Sequence, residues 1–233
     1  MDPTQLEPDL GSTRAEAAWR ELLEAVLRDR LAHTTDGSHD LGHLRRVWLN
    51  CKTIAAAEAG SPDHHILIAG AYLHDLVNLP KDAPDRHFAS RRSGELATKI
   101  LTEHGFPQAK IAAVVHAIET HSYSAAIQPE TVEAQILQDA DRLEALGAIG
   151  IARTFYVAGR LGSALFEPND PFAAQRALDD KRFALDHFEL KLFKIAGTMT
   201  TAAGKHIAEQ RAATMRAFCT QLREELHGRD SAR

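Results

Sequence analysis

"AYLHDLVNLPKD", residues 71–82, contains the pair on which the reading of this chain turns. Apolar Ala71-Tyr72-Leu73 runs directly into an imidazole and a carboxylate, His74 and Asp75, and the chain returns at once to Leu76-Val77. Polar and charged groups set into an apolar helical surface are costly unless a hydrogen-bond partner or a metal ion compensates them. Outward from this point the pattern is helix after helix. Trp19, Leu22, Leu23, Val26, Leu27 and Leu31 form one stripe at helical spacing. After the loop "HTTDGSHD", with Asp36 or Ser38 as cap, Leu41, Leu44, Val47, Trp48 and Ile54 form the next. "AGSPDH" closes that helix, with Gly60 as the stop and Pro62 in the first turn of a helix expected over 63–77. Further helices are expected over 87–104, 108–121, 130–158, 172–196 and 201–226. "NLPKDAPDR" and "GRLGSALFEPNDPF" are the punctuating loops, and strand signals are nearly absent. The expected fold is all-α. Residues 1–12 read as a disordered N-terminus and 13–228 as a single domain, with a core over 20–158 and a C-terminal helical extension over 172–226.

Composition narrows the function classes. Among 233 residues, 44% are hydrophobic and 25% charged, as in an ordinary globular protein. A net charge of -5 gives no electrostatic footprint for nucleic acid. The acidic N-terminal stretch lacks an apolar signal core and no apolar run approaches a membrane span, so a cytoplasmic protein without a membrane partner is expected. Cys51 and Cys219 sit far apart in helical patterns and suggest no disulfide framework. Of the 13 histidines, five stand at His39, His43, His74, His116 and His121, and histidine is the commonest metal ligand.

His43 in "SHDLGHLRRV", His74-Asp75, and Asp139 and Asp141 in "ILQDADRLEALGAIGIARTF" lie on three separate helical segments of core-like sequence. Inward-projecting ligands from several helices are how bundles build metal sites. A mixed nitrogen and oxygen set suits iron, manganese, cobalt, nickel or zinc. Asp139 and Asp141 are two residues apart and point to nearly opposite faces, so at most one reaches a given ion. Periodicity favours Asp139, which shares a stripe with Val132, Ile136, Leu143 and Leu146. "GAIGIA" reads as a continuation of the helix, its small residues allowing close packing. His39, four residues before His43, either shares its face or stands solvent-exposed in the first turn, and the exposed position is the expected one.

The ordered set His43, His74-Asp75 and a distal Asp resembles the HD-domain superfamily of metal-dependent phosphohydrolases. "DGSHDLGHLRRVW", "YLHDLVNLPKDAPDRHFAS", "HAIETHS", "QDADRLEALGAIGIARTF" and "HFELKLFKIAGTMTTAAGKHIAEQRAATM" look like a bacterial subgroup of that superfamily, over residues 20–225. The resemblance implies an HD-type helical bundle with a C-terminal extension. It implies His43, His74 and Asp75 as ligands of one divalent ion per chain (Fe, Mn, Co, Ni, Zn or Mg). The superfamily's Ala-Asp-x-Leu context matches Ala140-Asp141-Arg142-Leu143 and so implies Asp141 as the fourth, with Asp139 as its rival or as a group orienting a ligand histidine. His116 and His121 resemble the extra histidines of some members, although their spacing of five differs from the adjacent pair of binuclear ones, and one of them is expected past its helix end. The implied reaction is hydrolysis of a phosphomonoester or nucleotide phosphate bond by an activated water. Asp75 would position that water, His116 or His121 would protonate the leaving oxygen, and Lys81, Arg86, Arg46 and Arg142 would meet the phosphate. The implied partner is a small phosphorylated substrate, such as a nucleotide; a homo-oligomer is compatible with the sequence. Two alternatives stand beside this reading: a diiron HD-fold oxygenase, and a nucleotide-binding regulatory module.

Overall fold

The most apolar stretch takes the centre. In the computed structural model, which describes residues 10–31, 37–79, 85–122 and 125–227, helix α3 (His64–Leu73) is buried at every position from Ile66 to Leu73. A helix that is apolar all round must be covered on all sides. Here α1 (Leu10–Leu31), α2 (Leu41–Ala55), α4 (Ala89–Glu103), α5 (Gln108–His121) and α6 (Val132–Arg142) all pack on it. The fold is all-α. Among the described residues the β content is one isolated bridge, Ala164 to Phe183. No described helix is long and apolar enough to cross a membrane.

Several boundaries differ from expectation, each for a local reason. α1 already begins at Leu10, so the expected disorder does not extend over 10–12, and residues 1–9 lie outside the described residues. The cap of α2 is Asp40, whose carboxylate accepts from the His43 N–H at 2.8 Å, rather than Ser38 or Asp36. Pro62 stands outside α3, which is capped by Asp63 through the N–H groups of His65 and Ile66.

The helix expected over 130–158 is two helices. α6 tightens into a 3-10 turn at Leu143–Ala145, Leu146 is extended and fully buried, and α7 runs Gly147–Leu161. Gly147 makes the reversal with φ of +69°, a conformation cheap only for glycine, so "GAIGIA" begins a new helix instead of continuing the one before it. The helix expected over 172–196 is mostly a strap that ends in a π-helical turn (Phe188–Leu192) and α8 (Phe193–Ala196). Its composition is helical, but carboxylates capture the backbone donors a helix needs. Asp170 accepts from the N–H groups of Ala174 and Gln175, Asp179 from Lys181 and Arg182, and buried Asp186 from Asp179 and, bidentately, from Arg176. The final helix, α9 (Ala202–His227), lies along α7 and the end of α6.

Candidate metal centre

Four helix ends position the site. His43 sits in the first turn of α2, fixed by the Asp40 cap, and is fully buried. α3 runs out at Leu73. His74 is its C-cap, with its N–H still bonded to the Gly70 carbonyl at 2.9 Å, and Asp75 stands in the turn beyond. The pair therefore straddles a helix end, and this is how adjacent residues turn the same way. Asp141 stands in the last turn of α6, and His121 is the last residue of α5.

Their side chains converge. His43 Nε2 lies 3.3 Å from His74 Nε2, 3.6 Å from Asp141 Oδ1 and 3.9 Å from Asp75 Oδ2. His74 Nε2 is 3.7 Å from each of the same two oxygens. Ligands about 2.1 Å from one ion stand about 3.0 Å apart at right angles and about 3.4 Å apart in a tetrahedron, so these spacings fit a shared cation after small adjustment. The proton positions fit as well. His74 Nδ1 donates to the Ala71 carbonyl at 3.0 Å, which leaves the Nε2 lone pair facing the centre.

Charge points the same way. Burial opposes a proton on His74, yet the Asp75 and Asp141 carboxylates outweigh it and raise its pKa to about 9. His43 moves down, because its burial outweighs the neighbouring carboxylates. Burial would push Asp75 and Asp141 up, but the histidines, His74 foremost, hold both below the usual carboxylate range. A buried cluster that recruits positive charge this strongly, through two nitrogen and two oxygen donors, fits a divalent cation. Among the described residues, His43, His74 and Asp141 form one group able to hold a metal ion, and His74, Asp75 and His121 form a second that shares His74.

His121 comes to the centre, its Nε2 3.6 Å from Asp75 Oδ1, and it lies on α5 with His116 rather than past the helix end. Arg86 donates to the Leu79 carbonyl and lines a recess with Asp75, Asn78, Ser90, His121 and Ser122. His116, Arg142 and Asp139 are bonded elsewhere. His116 Nε2 accepts from the Glu130 N–H at 3.0 Å, and Arg142 bonds the Thr198 carbonyl at 2.6 Å. Asp139 is fully buried and accepts from Thr200 and Thr201 at the start of α9, so it does not orient a ligand histidine. Lys81 lies outside the described residues. Arg46 reaches the rear of the site, where its Nε donates to Glu144 at 2.7 Å.

Two residues there, Glu144 and Arg153, were not singled out from the sequence. Glu144 is 1% exposed, with Oε2 3.4 Å from His43 Nδ1. Arg153 NH1 lies 3.3 Å from the same nitrogen, and NH2 is 3.4 Å from His39 Nε2. His39 is partly buried and packs edge-on to His43, not exposed as expected. Glu144 carried a usable signal: it stands between Leu143 and Ala145, the same charge-in-apolar pattern that marks His74-Asp75.

A model of the HD domain matches residues 40–146, a span that contains His43, His74, Asp75 and Asp141. The uncharacterized protein YpgQ of Bacillus subtilis (strain 168) is 30% identical over 218 residues, covering 91% of this chain and 94% of that protein. The crystal structure of an HD-superfamily hydrolase from Bacillus thuringiensis superposes with a TM-score of 0.69 at 27% identity, covering 93% of this chain and 99% of that one. The crystal structure of B. subtilis YpgQ in complex with ADP superposes at 0.65 and 26% identity, covering 92% and 96%. Matched by the HD-domain model over residues 40–146, in sequence along nearly its whole length to YpgQ, and in fold to an HD-superfamily hydrolase, the chain belongs to the HD-domain family.

Proposed function

We propose that the protein is a metal-dependent phosphohydrolase that cleaves a phosphate ester bond of a nucleotide or a related small phosphorylated metabolite. The observation that carries this reading is the convergence of His43, His74, Asp75 and Asp141, with imidazole nitrogens and carboxylate oxygens 3.3–3.9 Å apart. These four residues would hold one divalent ion. When bound, such an ion supplies a water activated at neutral pH and withdraws charge from a phosphoryl oxygen.

The chain's own residues do the rest. Asp75 faces two ways: Oδ2 looks to the two ligand histidines and Oδ1 to His121. It ties the attacking side of the centre to the imidazole beside it. His121 Nδ1 donates to the Ile118 carbonyl at 2.5 Å, so Nε2 is the nitrogen that gains and loses a proton, and in this reading it protonates the leaving oxygen. Arg86, across the recess, meets phosphate charge with a planar cation suited to two oxygens at once. The complex of YpgQ with ADP supports a nucleotide as the substrate class.

The test is metal analysis of purified protein together with a phosphate-release screen over nucleotides and sugar phosphates, before and after chelation. Release that depends on metal and falls with His74→Ala or Asp75→Ala is expected. Release that survives complete metal removal overturns the proposal.

A further inference from the structure

The nitrogen of His43 that faces away from the centre has two neighbours that demand opposite chemistry. Glu144 Oε2 is 3.4 Å from Nδ1 and Arg153 NH1 is 3.3 Å from it, so distance does not decide between them. A guanidinium N–H only donates, and pairing with it requires a bare Nδ1 and a proton on Nε2, aimed at His74 and Asp141. A carboxylate only accepts, and pairing with it places the proton on Nδ1 and turns the Nε2 lone pair inward. Only the second arrangement lets His43 ligate a cation.

We infer that Glu144 is the positioning residue that fixes the tautomer and ring orientation of His43, with Arg46 and Arg153 as the cations that hold its carboxylate in place. This rests on the metal-dependent reading above. The surroundings of Glu144 match the role. Arg46 Nε donates at 2.7 Å, and Arg153 approaches the same oxygen at 3.9 Å. The carboxylate stands on the 3-10 turn directly after Asp141, so one short segment carries a group in front of His43 and the group behind it. That turn is braced. Asn50 donates to the Ala140 carbonyl at 3.0 Å, and Arg211 bridges the Leu143 carbonyl and Asn50 at 2.7 and 2.8 Å. The helix break at Leu146–Gly147 lets α7 return Arg153 to the same carboxylate.

The test measures Mn2+ affinity by chelator competition in the wild type and in Glu144→Gln, which keeps shape and removes charge. Losing the carboxylate behind a ligand histidine costs about 10–100-fold in metal affinity. We expect at least tenfold weaker Mn2+ binding in a variant whose circular dichroism is unchanged. A folded Glu144→Gln protein that binds Mn2+ within twofold of wild type overturns the inference, whereas a wild type that binds no divalent ion overturns the metal-dependent reading itself. Should Glu144→Gln not fold, nitrogen-15 NMR of histidine-labelled, metal-free wild type decides: a neutral His43 protonated on Nδ1 supports the inference, and one protonated on Nε2 overturns it.

Discussion

Asp139 and Asp141 separate structure from chemistry within one turn of α6. Asp139 is fully buried, and its two oxygens accept from four donors: Thr200 N and Oγ1 at 2.9 and 3.1 Å, and Thr201 N and Oγ1 at 2.8 and 2.7 Å. Asp139→Ala removes every one. The two Thr201 donors are buried and cannot turn to water. Each such orphan costs about 1–3 kcal/mol, so the pair costs about 2–6 kcal/mol. For a chain of this size the middle of that range, about 4 kcal/mol, lowers Tm by about 8–16 °C. The side chain of Asp141 is 28% exposed and faces the histidines. Asp141→Asn is therefore expected to stay folded and lose metal, while Asp139→Ala, kept cold, loses stability and keeps metal. Denaturant unfolding and metal analysis on both variants read the crossed pattern. A loss below about 1 kcal/mol in Asp139→Ala refutes the packing argument. Metal lost from folded Asp139→Ala but kept by Asp141→Asn refutes the assignment of the two roles.

Other perturbations follow from single contacts. Gly147→Ala puts a Cβ at φ of +69° and 3.1 Å from the Arg211 side chain, and is expected to cost about 1–2 kcal/mol for the left-handed backbone alone; wild-type stability in denaturant would contradict this. Arg176→Met strands Asp186, 1% exposed, without its bidentate partner. It should cost about 3–5 kcal/mol and open the strap to proteolysis, so an unchanged cleavage rate counts against the clasp. Glu24 is held below its ordinary pKa by the hydrogen bond from Arg45, and then by the one from Tyr72. A depressed folded-state pKa contributes stability above the unfolded value that is lost as pH falls through the folded one. The stability gap between wild type and Glu24→Gln should therefore be full at neutral pH and close on the acid side. With Arg45 over half exposed the gap is below about 1 kcal/mol, and one that widens toward acid pH contradicts the sign.

The helices packed around α3 were legible because their apolar residues recur at helical spacing against a plain polar background; α5 begins and ends where the pattern does, at Gln108 and His121. The strap was not, because residues such as Ala173, Ala174 and Leu178 are good helix formers, and what prevents a helix there is the set of bonds to Asp170, Asp179 and Asp186, which exists only once the chain is folded. The same limit explains Asp139. Its apolar stripe correctly marks a buried face, but that face meets the start of α9, whereas Asp141, 28% exposed, is the carboxylate that faces the histidines. Periodicity finds the core; it does not find the mouth of a site.

Helix polarity accounts for the way the centre is built. α3 and α5 arrive with their C-terminal ends, and each presents a histidine whose Nδ1–H is taken by the carbonyl three residues back, Ala71 for His74 and Ile118 for His121. Last-turn carbonyls lack a full set of helical partners and lend partial negative charge to the site. α2 arrives the other way round, and His43 in its first turn has N–H donors around it instead of spare carbonyls. A proton acceptor for that imidazole must come from another element, and it must carry enough charge to outweigh a helix N-terminus. Glu144, brought in by the break between α6 and α7, meets both requirements. A histidine donated from a helix start needs a carboxylate behind it, where one donated from a helix end can use its own backbone.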